Sequence, residues 1–161
     1  MKELLALIKQ NPRLTNKQIA SALGRKESDV AAEIAELERS GIICGYRTMI
    51  DWTKTGDDHK VTALIELKVT PRRDTGFDAI AEEILSLKEV ESLHLMSGGY
   101  DFAVYVTGKT LQDVAQFVAR QLSTIDSVVS TATTFILKRY KESGVVMDDI
   151  KTTDERRNTL L

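Results

Sequence analysis

The sequence predicts an α+β protein of two domains: a small helical one, followed by a larger one in which strands and helices alternate. Three observations carry that prediction. Before residue 41, apolar residues recur at helical spacing in three short runs. From residue 61 onward, strand-like runs alternate with helical ones. Between the two, the stretch Thr53-Lys54-Thr55-Gly56-Asp57-Asp58-His59-Lys60 holds no large apolar side chain. The expected division is therefore 1–52, a linker at 53–60, a second domain at 61–147, and a polar tail at 148–161.

The first run, Lys2 to Lys9, sets Leu4, Leu5, Leu7 and Ile8 along one stripe. Asn11-Pro12 ends it, because proline cannot supply the N–H that would continue a helix. Thr15 is an N-cap candidate for a second helix with Ile19, Ala20 and Leu23 on its apolar side, and Gly24 supplies the turn. A third helix starts at about Ser28, buries Val30, Ile34 and Leu37, and is closed by Gly41. Ile42-Ile43-Cys44-Gly45-Tyr46-Arg47-Thr48-Met49-Ile50 then reads as a β-wing. Three helices and a wing outline a winged helix-turn-helix, a module whose last helix usually lies in the major groove of DNA. On that helix the side expected to face out reads Ser28, Asp29, Ala32, Glu33 and Glu36, an acidic surface. Arg13, Lys17, Arg25 and Lys26 precede it and Arg47 lies in the wing, positions suited to backbone phosphates. With Ser28 at the helix start, these are the DNA-contact candidates.

In the second half, Val61 to Val69 is rich in β-formers and is interrupted by Pro71-Arg72-Arg73. Phe77, Ile80, Ala81, Ile84 and Leu85 then fall at helical spacing. Val90 to Met96 reads as a strand, Gly98-Gly99 as a type I′ hairpin turn needing positive φ, and Asp101 to Thr107 as the next strand. Leu111 to Leu122 is a helix burying Val114, Ala115, Phe117 and Val118, capped by Thr110 with Asp113 as the reciprocal partner. Val128 to Tyr140 is the last strand. The order βαββαβ has a known packing solution, the ferredoxin-like split βαβ sandwich, with both helices on one face of a four-stranded antiparallel sheet. Ala103, Tyr105 and Leu64 give the other face apolar character too, so self-association through it, to at least a homodimer, is expected.

Composition narrows the function. Net charge is −2 over 161 residues, which argues against a generally sticky nucleic-acid binder. Residues 1–52 hold eight Lys or Arg against seven Asp or Glu, so the slight positive balance sits where DNA contact is expected. No apolar run approaches the roughly 20 residues of a membrane span and no signal-peptide pattern opens the chain, so a cytoplasmic location is the expectation. The single cysteine, Cys44, excludes an intramolecular disulfide and reads as a small buried hydrophobe.

Few residues invite chemistry. The glycines of Ser97-Gly98-Gly99-Tyr100-Asp101 would let a small ligand approach backbone N–H groups, while Tyr100 and Asp101 offer a hydroxyl and a carboxylate for an ammonium. His59 and His94, the only histidines, fall in different parts of the chain, so no metal is expected, and His94 reads as a packed or interface side chain. Trp52 reads as an anchor for the linker. No nucleophile elbow, phosphate loop or HExxH sequence appears, so no enzyme and no cofactor is expected.

Both halves together resemble the Lrp/AsnC, or feast/famine, family of transcription regulators. Leu14-Thr15-Asn16-Lys17-Gln18-Ile19-Ala20-Ser21-Ala22-Leu23-Gly24 is similar to the family's first recognition-module helix and turn. Leu37-Glu38-Arg39-Ser40-Gly41-Ile42-Ile43-Cys44-Gly45-Tyr46 resembles its exit into the wing, and Ser97-Gly98-Gly99-Tyr100-Asp101-Phe102 its hairpin. The resemblance spans about residues 2–147. It implies a double-stranded DNA partner and a C-terminal RAM domain that dimerises through its sheets and often builds octamers. It also implies a small effector, commonly an amino acid, bound between dimers near that hairpin. Ser97, Gly98, Gly99, Tyr100 and Asp101 become the effector-site candidates, joined by Thr131, Thr133 and Thr134 of a neighbouring subunit.

Two rival functions stay open at this level. The acidic helix suits an oligomeric small-molecule-binding protein with weak or lost DNA recognition. Siroheme decarboxylases resemble the same architecture, but they carry extra histidines and arginines around the pocket, where this chain has Tyr100-Asp101-Phe102-Ala103-Val104.

Overall fold

The computed structural model describes residues 1–55, 60–71 and 73–147. His59 and the tail at 148–161 lie outside them. The chain divides into two compact units, Met1–Ile50 and a second from Asp51 onward.

The first unit holds α1 (Lys2–Gln10), α2 (Asn16–Leu23) and α3 (Glu27–Arg39). Leu4, Ile8, Ile19, Ala20, Val30 and Leu37 form its core, with Leu5, Leu7, Leu14, Leu23, Ile34 and Ile43 packed around them. The start of α2 is closed by a capping box: Thr15 Oγ1 accepts the Gln18 N–H, and the Gln18 side chain accepts the Thr15 N–H. At the other end Gly24 adopts φ +63°, a left-handed conformation that costs glycine least. Its neighbour's N–H, on Arg25, closes the cap onto Ala20 O at 2.9 Å.

The wing departs from expectation. Residues 44–50 form no strand. A strand exists only by pairing, and among the described residues none pairs with this segment. Consequently Ile42, Tyr46 and Ile50 stay exposed, and Cys44, expected to be buried, is exposed as well, its thiol donating to Gly41 O.

In the second unit, Trp52–Thr55 makes a short 3-10 turn, with the Lys60 ammonium 5.0 Å from the centre of the half-exposed Trp52 ring. There follow β1 (Val61–Val69), α4 (Asp78–Leu85), β2 (Val90–Leu95), β3 (Phe102–Gly108), α5 (Leu111–Arg120) and β4 (Val128–Phe135). The sheet order β2-β3-β1-β4, with every neighbouring pair antiparallel, is the ferredoxin-like arrangement. Ala63, Ile65 and Leu67 of β1 and Phe102, Val104 and Val106 of β3 are buried against Ile80 and Ile84 of α4 and Val114, Phe117 and Val118 of α5. Thr110 and Asp113 form the expected capping box.

Two elements differ from the sequence reading. The last strand stops at Phe135, five residues early, after Ile136 N–H makes a final bond to Thr62 O; a small hairpin of β5 (Lys141–Glu142) and β6 (Val145–Val146) follows. The link from β2 to β3 is also longer than a two-residue turn. Leu95 pairs with Phe102, leaving six residues between, and neither Gly98 nor Gly99 has positive φ. A loop of that length reverses the chain without the mirror-image conformation of a type I′ turn.

Candidate functional site

In the first unit, the register of α3 decides which side chains look outward. Val30, Ile34 and Leu37 form the inward stripe. Glu33 is three residues after Val30 and four before Leu37, so it borders that stripe and is only 24% exposed. The residues opposite that stripe are Ser28, Ala32, Ala35 and Arg39, all exposed, as are Asp29 and Glu36 beside them. Acidic groups flank them, and most are engaged. Glu33 Oε2 accepts Arg25 Nη1 at 2.6 Å while Oε1 accepts the Met1 ammonium at 3.0 Å. Glu36 pairs with Arg39, and Glu38 accepts the Tyr46 hydroxyl at 2.9 Å. Glu27 and Asp29 occupy the first turn, where the helix dipole favours negative charge. The acidic side therefore stays largely exposed, with Glu33 and Glu36 compensated by cations and Glu38 held by a neutral hydroxyl.

These pairs move the proton equilibria. Arg25 first, then the Met1 ammonium, hold the Glu33 carboxyl below the usual carboxylate range. Partial burial, then the hydrogen bond to Glu38, pushes the Tyr46 phenol up.

The basic candidates separate accordingly. Arg13 stands in the turn before α2, Lys17 in the first turn of α2, and Lys26 at the N-cap of α3; Arg47 lies in the extended segment after α3. All four are exposed, and none makes an ion pair with another described residue. Arg25 is different, because its guanidinium is committed to Glu33. Ser28 is exposed, its hydroxyl donating to Asp29 Oδ1 at 3.2 Å.

In the second unit the candidate loop is tied at one end and open at the other. Met96 N–H donates to Asp101 O, and Asp101 N–H to Leu67 O, each at 2.8 Å. The Asp101 Oδ2 accepts the Val69 N–H, also at 2.8 Å. Asp101 thus has a structural task that the sequence did not reveal, at the place where the β1–β4 register shifts between Lys68 and Val69. Ser97, Gly98 and Gly99 are exposed, and Tyr100 is half-buried. A methyl group added at either glycine would meet nothing within 4 Å.

The β4 candidates split. Thr131 and Thr133 stand opposite Leu67 and Ile65 and share their face, whereas Thr134 stands opposite Leu64 on the other. One site reached from one face can use Thr131 and Thr133 or Thr134, not all three. The face away from the helices carries Leu64, Ala103 and Tyr105 among Thr62, Glu66, Lys68, Thr107 and Thr134, so it is more polar than expected. His94 stands exposed there, edge-on to Tyr105 with ring centres 6.1 Å apart. Arg139 donates to Thr62 Oγ1 at 2.7 Å, and that oxygen lies 2.8 Å from Thr107 Oγ1. Among the described residues no cluster of His, Cys, Asp or Glu could hold a metal ion, and no helix is long and apolar enough to cross a membrane.

A helix-turn-helix unit joined to a ferredoxin-like unit defines a class: two-domain regulators that pair a DNA-binding module with a sensor module. Residues 1–43 match the profile of winged helix-turn-helix DNA-binding domains, and residues 62–146 that of the Lrp/AsnC ligand binding domain. The chain belongs to the Lrp/AsnC family of transcription regulators. It is 47% identical over 146 residues to the "uncharacterized HTH-type transcriptional regulator YugG" of Bacillus subtilis, covering 91% of this chain and 88% of that one. Solved structures share the fold. A Neisseria meningitidis transcriptional regulator in complex with L-Met superposes with a TM-score of 0.69 at 20% identity, covering 90% of this chain and 93% of that chain. A feast or famine regulatory protein of M. tuberculosis complexed with L-methionine gives 0.70 at 22%, covering 90% and 95%.

Proposed function

We propose that this regulator works in the cytoplasm, with its DNA module at 1–52, a linker at 53–60 and an effector and assembly module at 61–147. In this reading Arg13, Lys17, Lys26, Ser28 and Arg47 meet DNA, and Arg25 joins them only when Glu33 releases it. The effector is a small zwitterion, an amino acid, held at Ser97, Gly98, Gly99, Tyr100 and Asp101. Thr131 and Thr133, or Thr134, of a second copy complete its pocket. The copies associate as at least a homodimer through the sheet face away from α4 and α5.

One observation carries the effector site. Glycine is usually required where φ is positive or where a Cβ would collide, and Gly98 and Gly99 meet neither condition. What two adjacent glycines still provide is bare backbone, whose N–H groups a carboxylate can approach. Asp101 Oδ1 and the Tyr100 hydroxyl would supply the acceptors for the effector's ammonium. The L-methionine held by two fold relatives fits that chemistry. For association, Leu137 at 97% exposure and the exposed Tyr140, Val145 and Val146 supply apolar surface beyond β4 for a second copy to cover.

A thermal-shift screen of the amino acids at millimolar concentration tests the reading. At least one is expected to raise the melting temperature and to change the band pattern on operator DNA. Absence of any response across the set counts against an amino-acid effector. Effector control further requires that the ligand bind two assembly states unequally.

A further inference from the structure

We propose that Glu33 sets the DNA affinity of the helix-turn-helix unit by keeping the Arg25 guanidinium in an intramolecular ion pair, so that this charge is withheld from the phosphate backbone. The inference rests on DNA contact by the basic residues around α3.

Arg25 and Lys26 are consecutive at the entrance to α3, the end of a recognition helix that approaches bases most closely. By sequence they are equivalent cations. In the structure they are not. Lys26 is exposed at the N-cap and has no ion pair with another described residue. Arg25 is anchored twice: its N–H closes the α2 cap onto Ala20 O, and its side chain runs along α3 to Glu33, where Nη1 meets Oε2 at 2.6 Å. That carboxylate borders the buried stripe, and its other oxygen is occupied by the Met1 ammonium. Its position is therefore fixed from three sides, by helix register, by Arg25 and by Met1. The Arg25 side chain is 35% exposed.

A phosphate competing for Arg25 would have to displace a carboxylate tethered beside it, and would leave Glu33 facing the DNA with half of its compensation gone. A pair that stays closed brings no net positive charge to the backbone and releases no counterion. An unpaired cation does both, steepening the dependence of log K on log salt by about 0.9. Glu33 thus acts as a restraint on sequence-independent affinity, leaving discrimination to the other contacts.

The test is a salt titration of the full chain with a random-sequence duplex about three helical turns long. Substitution Glu33→Gln is expected to raise affinity about fivefold at low salt and to steepen the salt slope by about 0.9. That steepening is roughly a threefold greater loss of affinity between about 50 and 200 mM salt. In an Arg25→Ala background the same substitution should leave the slope where it was. An unchanged slope in E33Q, or an equal steepening with and without Arg25, overturns the proposal. The second outcome would mean that Glu33 acts only through the general field. If E33Q does not fold, as judged by its helical melt, single variants decide: R25A must lose clearly less slope than K26A, and equal losses refute the restraint. Absence of DNA binding by wild type and variants at low salt overturns both this inference and the assignment of DNA contacts. Binding with unaltered slopes removes only the role of Glu33.

Discussion

Asp101 accepts the Val69 N–H on its Oδ2 at 2.8 Å while donating its own N–H to Leu67 O at the same distance. One residue therefore fastens the β2–β3 loop to the end of β1 through both side chain and main chain. The β1–β3 ladder ends at Leu67 and Phe102, so the Val69 N–H, a main-chain donor that would otherwise lack a strand partner, is satisfied by a carboxylate. Asp101→Ala leaves that donor to solvent. A hydrogen bond to a charged acceptor contributes about 1.5–3 kcal/mol when well shielded, and this one is partly exposed, so the lower end applies. The expected loss is about 1.5 kcal/mol, seen as a fall of about 5 °C or more in melting temperature. Asp101→Asn, which keeps a neutral acceptor, should lose roughly half as much. A melt of D101A superimposable on wild type would remove the tether from the account.

The loop glycines make an unusual pair of variants. Because Gly98 and Gly99 have negative φ and open space around them, alanine fits at either position. Restricting the unfolded chain should then stabilise the protein by about 0.4–1 kcal/mol per substitution. At the proposed effector site the same methyl group would block a ligand's approach to the backbone. G98A or G99A is thus expected to melt slightly higher without ligand and to lose the ligand-induced shift. Gly24 behaves in the opposite way: at φ +63° a side chain is strained, and Gly24→Ala should cost about 1 kcal/mol. A ligand shift preserved in both loop variants would place the effector elsewhere.

How much was legible in the sequence depends on how local the cause was. Thr15 as an N-cap and the pair Thr110/Asp113 three residues apart were legible from local spacing, and the structure adds Gln18 as the reciprocal partner of Thr15. The βαββαβ order followed from periodicity, and with it the sheet topology. What the sequence missed, it missed for non-local or counting reasons. The wing at Ile42–Ile50 has the composition of a strand, but composition supplies no partner. On α3, Ser28, Asp29, Ala32 and Glu36 are exposed as the sequence suggested, and Glu33 alone departs: the spacing Val30, Glu33, Leu37 already set it beside the core, and a helical count would have found it. The role of Asp101 could not be found that way, because its partner Val69 lies 32 residues earlier in the chain. For the same reason the split of Thr131 and Thr133 from Thr134 became evident only with the pairing of β4 to β1.

The two capping boxes lie in different units and should report on them separately. Loss of a Thr N-cap typically costs about 1 kcal/mol. Thr15→Ala is expected to accelerate hydrogen exchange in the first unit, at α2, without affecting the α5 amides. Thr110→Ala should do the reverse. Uniform acceleration across the chain in either variant would mean that the units unfold as one.

Acid sensitivity gives the last prediction, and its sign follows from Glu33. Arg25 favours the ionised carboxylate in the folded protein and so holds its pKa below that of the unfolded chain. A group depressed in this way strengthens folding at pH values above the ordinary carboxylate range, and the gain disappears as pH falls through the depressed value. Glu33→Gln should therefore flatten the acid limb of stability, losing least relative to wild type at the lowest pH and most near neutrality. Asp51 supplies an internal control. Its pKa is lowered too, chiefly by the Thr53 hydroxyl, but it lies in the other unit and should keep its contribution in E33Q. Both carboxylates are near solvent, so added salt should weaken the Glu33 contribution, which is an ion pair, more than that of Asp51, which rests mainly on a neutral donor. Urea unfolding followed from about pH 7 to pH 2 at low and high salt separates the two. Parallel acid limbs for wild type and E33Q would mean that the Arg25–Glu33 pair does not hold in solution, and the restraint on DNA affinity would fall with it.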